Sequence, residues 1–223
     1  MRILIFSDTH RAMRKPFEIV RKIEQSKRIN LFVHLGDCVE DGIEIGERFE
    51  LPTIVLRGNN DFILKSDVDN SKCTPGRYGN IAAFNGGEDF VVWEDKDGSA
   101  KIIDTSAGKI YLTHGHRENV SLSVNNMVYK MEEKGCLAGI FGHTHMAMKE
   151  VFGDFLLVNP GSISKPRDDV NGSYAIMDIE GDAIDVEILR LGNDGKRRGG
   201  YVRNLINYSE SYWGILKIQN SLI

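Results

Sequence analysis

Cysteine is scarce in this chain of 223 residues, and the three present, Cys38, Cys73 and Cys136, are odd in number and widely spaced. No disulfide framework follows from them and none has zinc-knuckle spacing, so they read as small apolar or loop residues of a reducing compartment. Long hydrophobic runs are also missing. The first one, Ile3–Phe6, is too short for a signal-peptide core or a membrane span, so no membrane association is expected and the cytoplasm is the default location. There is no basic excess. The net charge is -4, which leaves no chain-wide field for nucleic acid. One basic stretch, Lys196, Arg197, Arg198 and Arg203, reads as a solvated turn. Internal repeats are absent.

What is present is a globular composition, 41% hydrophobic and 27% charged, enough for one domain with an ample core. Short apolar runs alternate with helical patterns. Ile3–Phe6, Leu31–Leu35 and Thr53–Leu56 read as strands, with helices around Phe17–Ile23 and Gly42–Glu50 between them. That alternation predicts right-handed crossovers and a largely buried sheet. Residues 62–107 read as a β-rich insertion with short strands at Ile81–Phe84, Phe90–Trp93 and Lys101–Ile103 and a flexible part at 66–79. Ile110–Leu112, Leu137–Phe141 and Phe155–Val158 continue the strands, with a helix face marked by Val120, Val124, Met127, Val128 and Met131. Tyr174–Ile179 and Ala183–Leu189 predict a hairpin. A domain over residues 1–190 is followed by an extension, 191–223, expected to be helical and to pack on the domain or join copies of the chain in a homo-oligomer.

Chemistry gathers where the strands end. Asp8-Thr9-His10, Gly36-Asp37, Gly58-Asn59-Asn60-Asp61, Thr113-His114-Gly115-His116 and Gly142-His143-Thr144-His145 each follow an apolar run, and ligands of open α/β sheets bind beyond the carboxyl ends of strands. Asp8 with His10, and His143 with His145, are two apart and project to one side if the backbone is extended. Carboxylates, an amide oxygen and several imidazoles suit two divalent ions. Manganese comes first, with iron, zinc, nickel or cobalt as the others, ahead of calcium. Two such ions, offset by Asp8, Asp37 and a hydroxide, leave roughly one positive charge for a phosphate.

In this order the motifs, with Asn159-Pro160-Gly161-Ser162, resemble those of the calcineurin-like metallophosphoesterases, and among them the small bacterial and archaeal phosphodiesterases. The resemblance implies an α/β (α+β) fold, a two-sheet β-sandwich flanked by helices. It implies that Asp8, His10 and His145 hold one metal, that Asn59, His114 and His143 hold the other, and that Asp37 bridges them, with a bridging hydroxide as the attacking group. It also implies metals roughly 3.5–4 Å apart. Many relatives carry a histidine after the ligand asparagine, where this chain has Asn60, and an amide cannot act as an acid. His116 is the substitute candidate. His34 reads as a supporting residue, and Arg11, Arg57 and Arg117 as surface cations first, flanking the motifs and able to meet phosphate oxygens as the alternative.

The expected activity is therefore hydrolysis of small phosphodiesters. The alternatives are a phosphomonoesterase or nucleotide phosphatase, a nuclease, which the acidic balance disfavours, and a non-catalytic protein-binding scaffold like the vesicle-coat subunit that shares this fold.

Overall fold

The computed structural model describes residues 1–61, 86–169 and 171–192. The expected strand at 81–84, the stretch 66–79, Cys73, the basic residues 196–203 and the C-terminal helix lie outside the described residues.

The first half is built from β1 (Arg2–Phe6), α1 (Arg14–Glu24), β2 (Leu31–His34), α2 (Val39–Phe49) and β3 (Thr53–Val55). A short 3-10 turn at Gly87–Phe90 leads into β4 (Val91–Glu94), β5 (Ala100–Thr105) and β6 (Gly108–Thr113). Then come α3 (Asn125–Lys134), β7 (Cys136–Phe141), β8 (Ala147–Phe152), β9 (Phe155–Pro160), β10 (Ser173–Glu180) and β11 (Ala183–Arg190).

These strands form two sheets, β11-β10-β1-β2-β3 and β4-β5-β6-β7-β9-β8. The pairs β1–β2, β2–β3, β6–β7 and β7–β9 are parallel, and a parallel pair needs a crossover, usually a helix. α1, α2 and α3 supply three of those crossovers. The arrangement is the two-sheet sandwich with flanking helices that the sequence resemblance implies.

Alternation along the strands fills three apolar layers. Ile3, Ile5, Leu31, Val33 and Ile54 of the first sheet meet Ile103, Ile110, Leu112, Ala138, Ile140 and Val158 of the second. Leu4, Phe6 and Phe32 face the other way, onto Ile19, Val20, Ile23 and Ile45 of α1 and α2. Ile102, Tyr111, Phe141 and Leu157 face Met127, Val128 and Met131 of α3. Strands buried on both faces need no polar alternate residues, which is why β1 and β2 read as unbroken apolar runs. Fully burying each large aliphatic side chain contributes about 1.5–3 kcal/mol, so the scaffold under the strand ends is stiff.

Three details differ from the sequence reading. β8 was not expected. Its residues are progressively exposed along an edge strand, so its periodicity is weak. α3 starts at Asn125, and Val120 and Val124 precede it; a turn through Asn119 (φ 55°) places them against the same apolar layer. Residues 91–105, read as part of an insertion, are two strands of the second sheet, with β5 paired to β6 along its whole length.

Candidate metal centre

Six strand-end loops meet at one edge of the sandwich and are laced together. The Asp8 amide donates to the Gly36 carbonyl (3.2 Å) and the Gly142 amide to the His114 carbonyl (3.1 Å). Asn159 Nδ2 donates to the Gly142 carbonyl (3.0 Å), and Ser162 Oγ to the Asp8 carbonyl (2.8 Å). The β2 and β3 loops are tied by Asp61. Its Oδ2 accepts from the amides of Asp37 (2.9 Å) and Gly58 (2.7 Å), and its Oδ1 from Cys38 (2.8 Å) and Val39 (3.1 Å). The same carboxylate thereby caps the start of α2 from across the fold.

That lacing holds strained backbone. Asp8, His10, Asp37, His143 and His145 all have positive φ, between 46° and 67°. Left-handed conformations cost a non-glycine residue on the order of 1–3 kcal/mol and persist where the surroundings over-determine them. The two-apart pairs thus converge through tight left-handed turns and not, as extended backbone would have it, through alternation. Gly58 and Gly142 allow the close approach. A Cβ on Gly58 would overlap the Asp37 carboxylate, and one on Gly142 the Ser7 hydroxyl.

The seven ligand candidates come together. Asp8, His10, Asp37 and His145 each offer an atom within 4.8 Å of the others. On the other side of Asp37, His114 Nε2 lies 3.5 Å from Asp37 Oδ1 and 3.2 Å from Asn59 Oδ1. The His143 ring centre is 5.2 Å from that of His114, and the His143 amide donates to Asp8 Oδ2 (3.3 Å). Asp37 therefore stands between the two sets. His116 sits beside the second, its ring centre 5.3 Å from His114 and 6.2 Å from His143.

Proton positions show what such a site accepts. His114 Nδ1 lies 2.8 Å from the Leu35 carbonyl, and His145 Nδ1 lies 2.7 Å from the Lys165 carbonyl. A carbonyl only accepts, so each Nδ1 carries the hydrogen and each ring turns its Nε2 inward, where an unprotonated Nε2 offers a lone pair. Those lone pairs face oxygen acceptors: Asn59 and Asp37 for His114, and Asp8 Oδ1 at 3.0 Å for His145. Asp8 Oδ1 and His10 Nε2 are buried with no hydrogen-bond donor. Acceptors facing acceptors are reconciled by a cation, and the mixed imidazole, carboxylate and amide set fits divalent transition ions.

The electrostatics agree. Burial opposes the charge on Asp8, but the adjacent His145, the charge of His114 and the Ser7 hydroxyl (2.5 Å) together hold its carboxyl at about 2. Burial lowers the proton affinity of His10, with Lys165 adding to it, and of His143, with His114 adding to it. His145 moves the other way: burial lowers its affinity, and the Asp8 carboxylate outweighs that. His10 and His143 are thus held neutral, the state in which imidazole binds metal.

Supporting residues complete the centre. His34 is buried and neutral. Its Nδ1 accepts from the Gly36 amide (3.3 Å), so its Nε2 donates to Thr9 Oγ1 (3.0 Å), and Thr9 Oγ1 donates to Asp41 Oδ2 (2.6 Å). Glu118, buried, receives the Tyr111 and Thr113 hydroxyls and Lys130, bracing the turn that carries His114 and His116. Asp41, Asp61 and Glu118 were assigned no role from sequence. Asp61 alone left a signal, as the fourth residue of a quoted motif. Of the flanking cations, Arg117 is ion-paired to Asp97, while Arg11 donates its backbone amide to Asp41 (2.7 Å) and Arg57 its amide to Gly98.

With this geometry, comparison with known proteins is decisive. The pattern of the calcineurin-like phosphoesterase superfamily domain matches residues 1–182. The chain belongs to the calcineurin-like phosphoesterase superfamily. It is 30% identical over 195 residues to a Bacillus subtilis protein named "Probable metallophosphoesterase YsnB", covering 87% of this chain and 94% of that one. It is 29% identical to a phosphodiesterase of Methanocaldococcus jannaschii, over 72% of this chain and 83% of the relative. Among solved structures, zinc-complexed Vps29 of Entamoeba histolytica superposes with a TM-score of 0.62 at 18% identity, over 88% of this chain and 95% of that one. That last likeness shows the fold alone. Among the described residues, no helix is long and apolar enough to cross a membrane.

Proposed function

We propose that the protein is a dinuclear-metal phosphodiesterase acting on small phosphodiesters. The observation that carries this reading is the position of Asp37. It lies within the Asp8–His10–His145 group and 3.5 Å from His114 of the Asn59–His114–His143 group. Asp8, His10 and His145 would hold one ion, Asn59, His114 and His143 the other, and Asp37 both. Manganese is the first choice, with iron, zinc, nickel or cobalt as the others. Such ions, when bound, polarise phosphoryl oxygens and acidify water for attack at phosphorus.

The chain's own residues do the rest. Asn60 offers no acidic proton, so a diester with a good leaving group, or a second proton carrier, is required. His116 is placed for that part. Its Nδ1 is buried without a partner, and burial, with the charges of His114 and Arg117, lowers its proton affinity. A ring of lowered proton affinity is the stronger acid when it carries the proton, and it carries that proton less often near neutral pH. The diester preference draws support from the phosphodiesterase name of the Methanocaldococcus relative. A scaffold of the Vps29 kind is the second reading, and the complete set of seven donors speaks against it.

Metal analysis of protein purified without chelator, followed by assay on matched aryl phosphodiesters and monoesters, tests this. Two equivalents of transition metal and faster diester cleavage are expected. Asp37→Asn should lose metal and drop turnover by about a thousandfold, beyond the 10–100-fold typical of groups that only support ligands. Turnover of monoesters alone would establish a phosphatase, and failure to take up any transition metal would establish the scaffold.

A further inference from the structure

The loop after β9 carries two cations that nothing in the described fold neutralises. This loop is fixed at four points. Ser162 Oγ donates to the Asp8 carbonyl (2.8 Å), and the Lys165 amide donates to Ser162 Oγ (2.9 Å). His145 Nδ1 donates to the Lys165 carbonyl (2.7 Å), and the Arg167 amide to the His145 carbonyl (3.0 Å). Lys165 and Arg167 therefore flank His145, one on each side of Pro166, and both are exposed. Their charges reach the site. Lys165 follows burial as a cause of the lowered proton affinity of His10, and Arg167 acts in the same sense on His145.

Several other cations of the fold are answered by acids. Arg2 pairs with Asp178, Lys130 with Glu118 and Arg190 with Asp168. Asp168, the nearest acid along the chain, is committed to Arg190 and to the Ala147 amide. On the opposite rim Arg117 is neutralised by Asp97. Among the described residues, Lys165 and Arg167 have no such partner. Beside His145 the rim thus carries two unpaired cations, whereas Arg117, beside His116, is matched by its own acid. Two fixed cations beside a site for divalent ions repel their surroundings unless an anion joins them.

We propose that Lys165 and Arg167 determine specificity by receiving a second anionic group of the substrate. The preferred substrate class is then a phosphoester that carries an additional phosphate, or a pyrophosphate linkage, on the side of His145. The neutral arm lies toward Arg117 and Asp97. This rests on the hydrolytic reading for its chemistry and on the rim alone for its binding.

Binding tests it separately from catalysis. Manganese-loaded protein, freed of excess metal by gel filtration, is titrated calorimetrically with inorganic phosphate and with pyrophosphate. Metal content is checked by mass spectrometry before and after. The wild type should bind pyrophosphate about tenfold or more tightly than phosphate, the scale of a charge-assisted contact. Lys165→Gln/Arg167→Gln should lose about tenfold in pyrophosphate affinity and stay within about twofold for phosphate. An equal loss for both anions, no loss, or heats that track metal stripping would overturn the proposal. Discrimination as expected in a protein that cleaves no phosphoester would keep this inference and remove the hydrolytic one.

Discussion

Asn60 clamps Asp37 at both carboxylate oxygens. Its backbone amide donates to Oδ1 at 3.0 Å and its side-chain Nδ2 to Oδ2 at 2.5 Å. The residue that stands where many relatives have a histidine is therefore spent on orienting the carboxylate that lies between the two candidate ligand sets. Asn60→Ala keeps the backbone bond and loses the other. Turnover should fall about 10–100-fold with metal content unchanged. Asn60→Asp places a like charge against Asp37 and should fall further. Steady-state kinetics paired with metal analysis checks both, and a wild-type rate in Asn60→Ala would remove the orienting role.

Asp61 accepts four amide hydrogens from two loops. Asp61→Ala leaves those donors unmade and should cost about 2–4 kcal/mol in denaturant unfolding, since buried donors without partners are expensive. Asp61→Asn should recover part of that, because an amide keeps one acceptor oxygen. Equal stability of all three proteins would show that water replaces the carboxylate.

Gly58 lies against Asp37 so closely that a methyl group must move the carboxylate. Gly58→Ala should lose metal occupancy and about a hundredfold or more in activity. Its melting temperature, read without metal, should fall by only a few degrees. A fully metallated, active Gly58→Ala protein would mean that the β2 and β3 loops yield easily.

His116→Ala should keep both metals and slow turnover about a hundredfold, within the range of a lost proton donor. The deficit should shrink for diesters with more acidic leaving groups. An identical deficit for all leaving groups would confine His116 to packing.

Metal-free protein should weaken in acid. Burial lowers the proton affinity of His10, His34, His116 and His143 below the ordinary 6.5. Below that value the unfolded chain binds protons that the folded one refuses, so stability falls as pH drops. His145, raised by Asp8, works in the opposite sense, since its contribution is present in acid and fades as pH rises through its folded value. Four rings against one predict a lower melting temperature at pH 5.5 than at 7.5. The depressed Asp8 carboxyl adds a further loss between the ordinary carboxylate value of 3.8 and about 2. A melting curve flat from pH 7.5 to 5.5 would contradict this.

Much of this was legible in the sequence because chemistry and periodicity coincide. Ile3–Phe6 and Leu31–Leu35 are apolar on both faces because both faces are buried, and the donors follow directly. The backbone at those donors was not legible. Positive φ at Asp8, His10, Asp37, His143 and His145 is imposed by contacts between loops distant in sequence, which no local propensity encodes. Asp41 and Glu118 were missed for the same reason: their partners lie on other elements. Lys165 and Arg167 carry no signal in the sequence, because pairing is a property of the fold and not of composition. β8, half exposed along an edge, had no pattern to show.

The placement of β1 also dictates when the centre can be made. Residues 2–5 pair with 175–178 and residues 3–6 with 31–34, and the Asp8 carbonyl is held by Ser162. Asp8 and His10 are synthesised before the segment beyond residue 173, and the fold cannot lock them until that segment has left the exit tunnel. Contacts so remote in sequence form slowly. Until then the fold does not hold these donors in place. Closure of the β10–β11 hairpin over the first strand is therefore the step that completes the candidate metal centre.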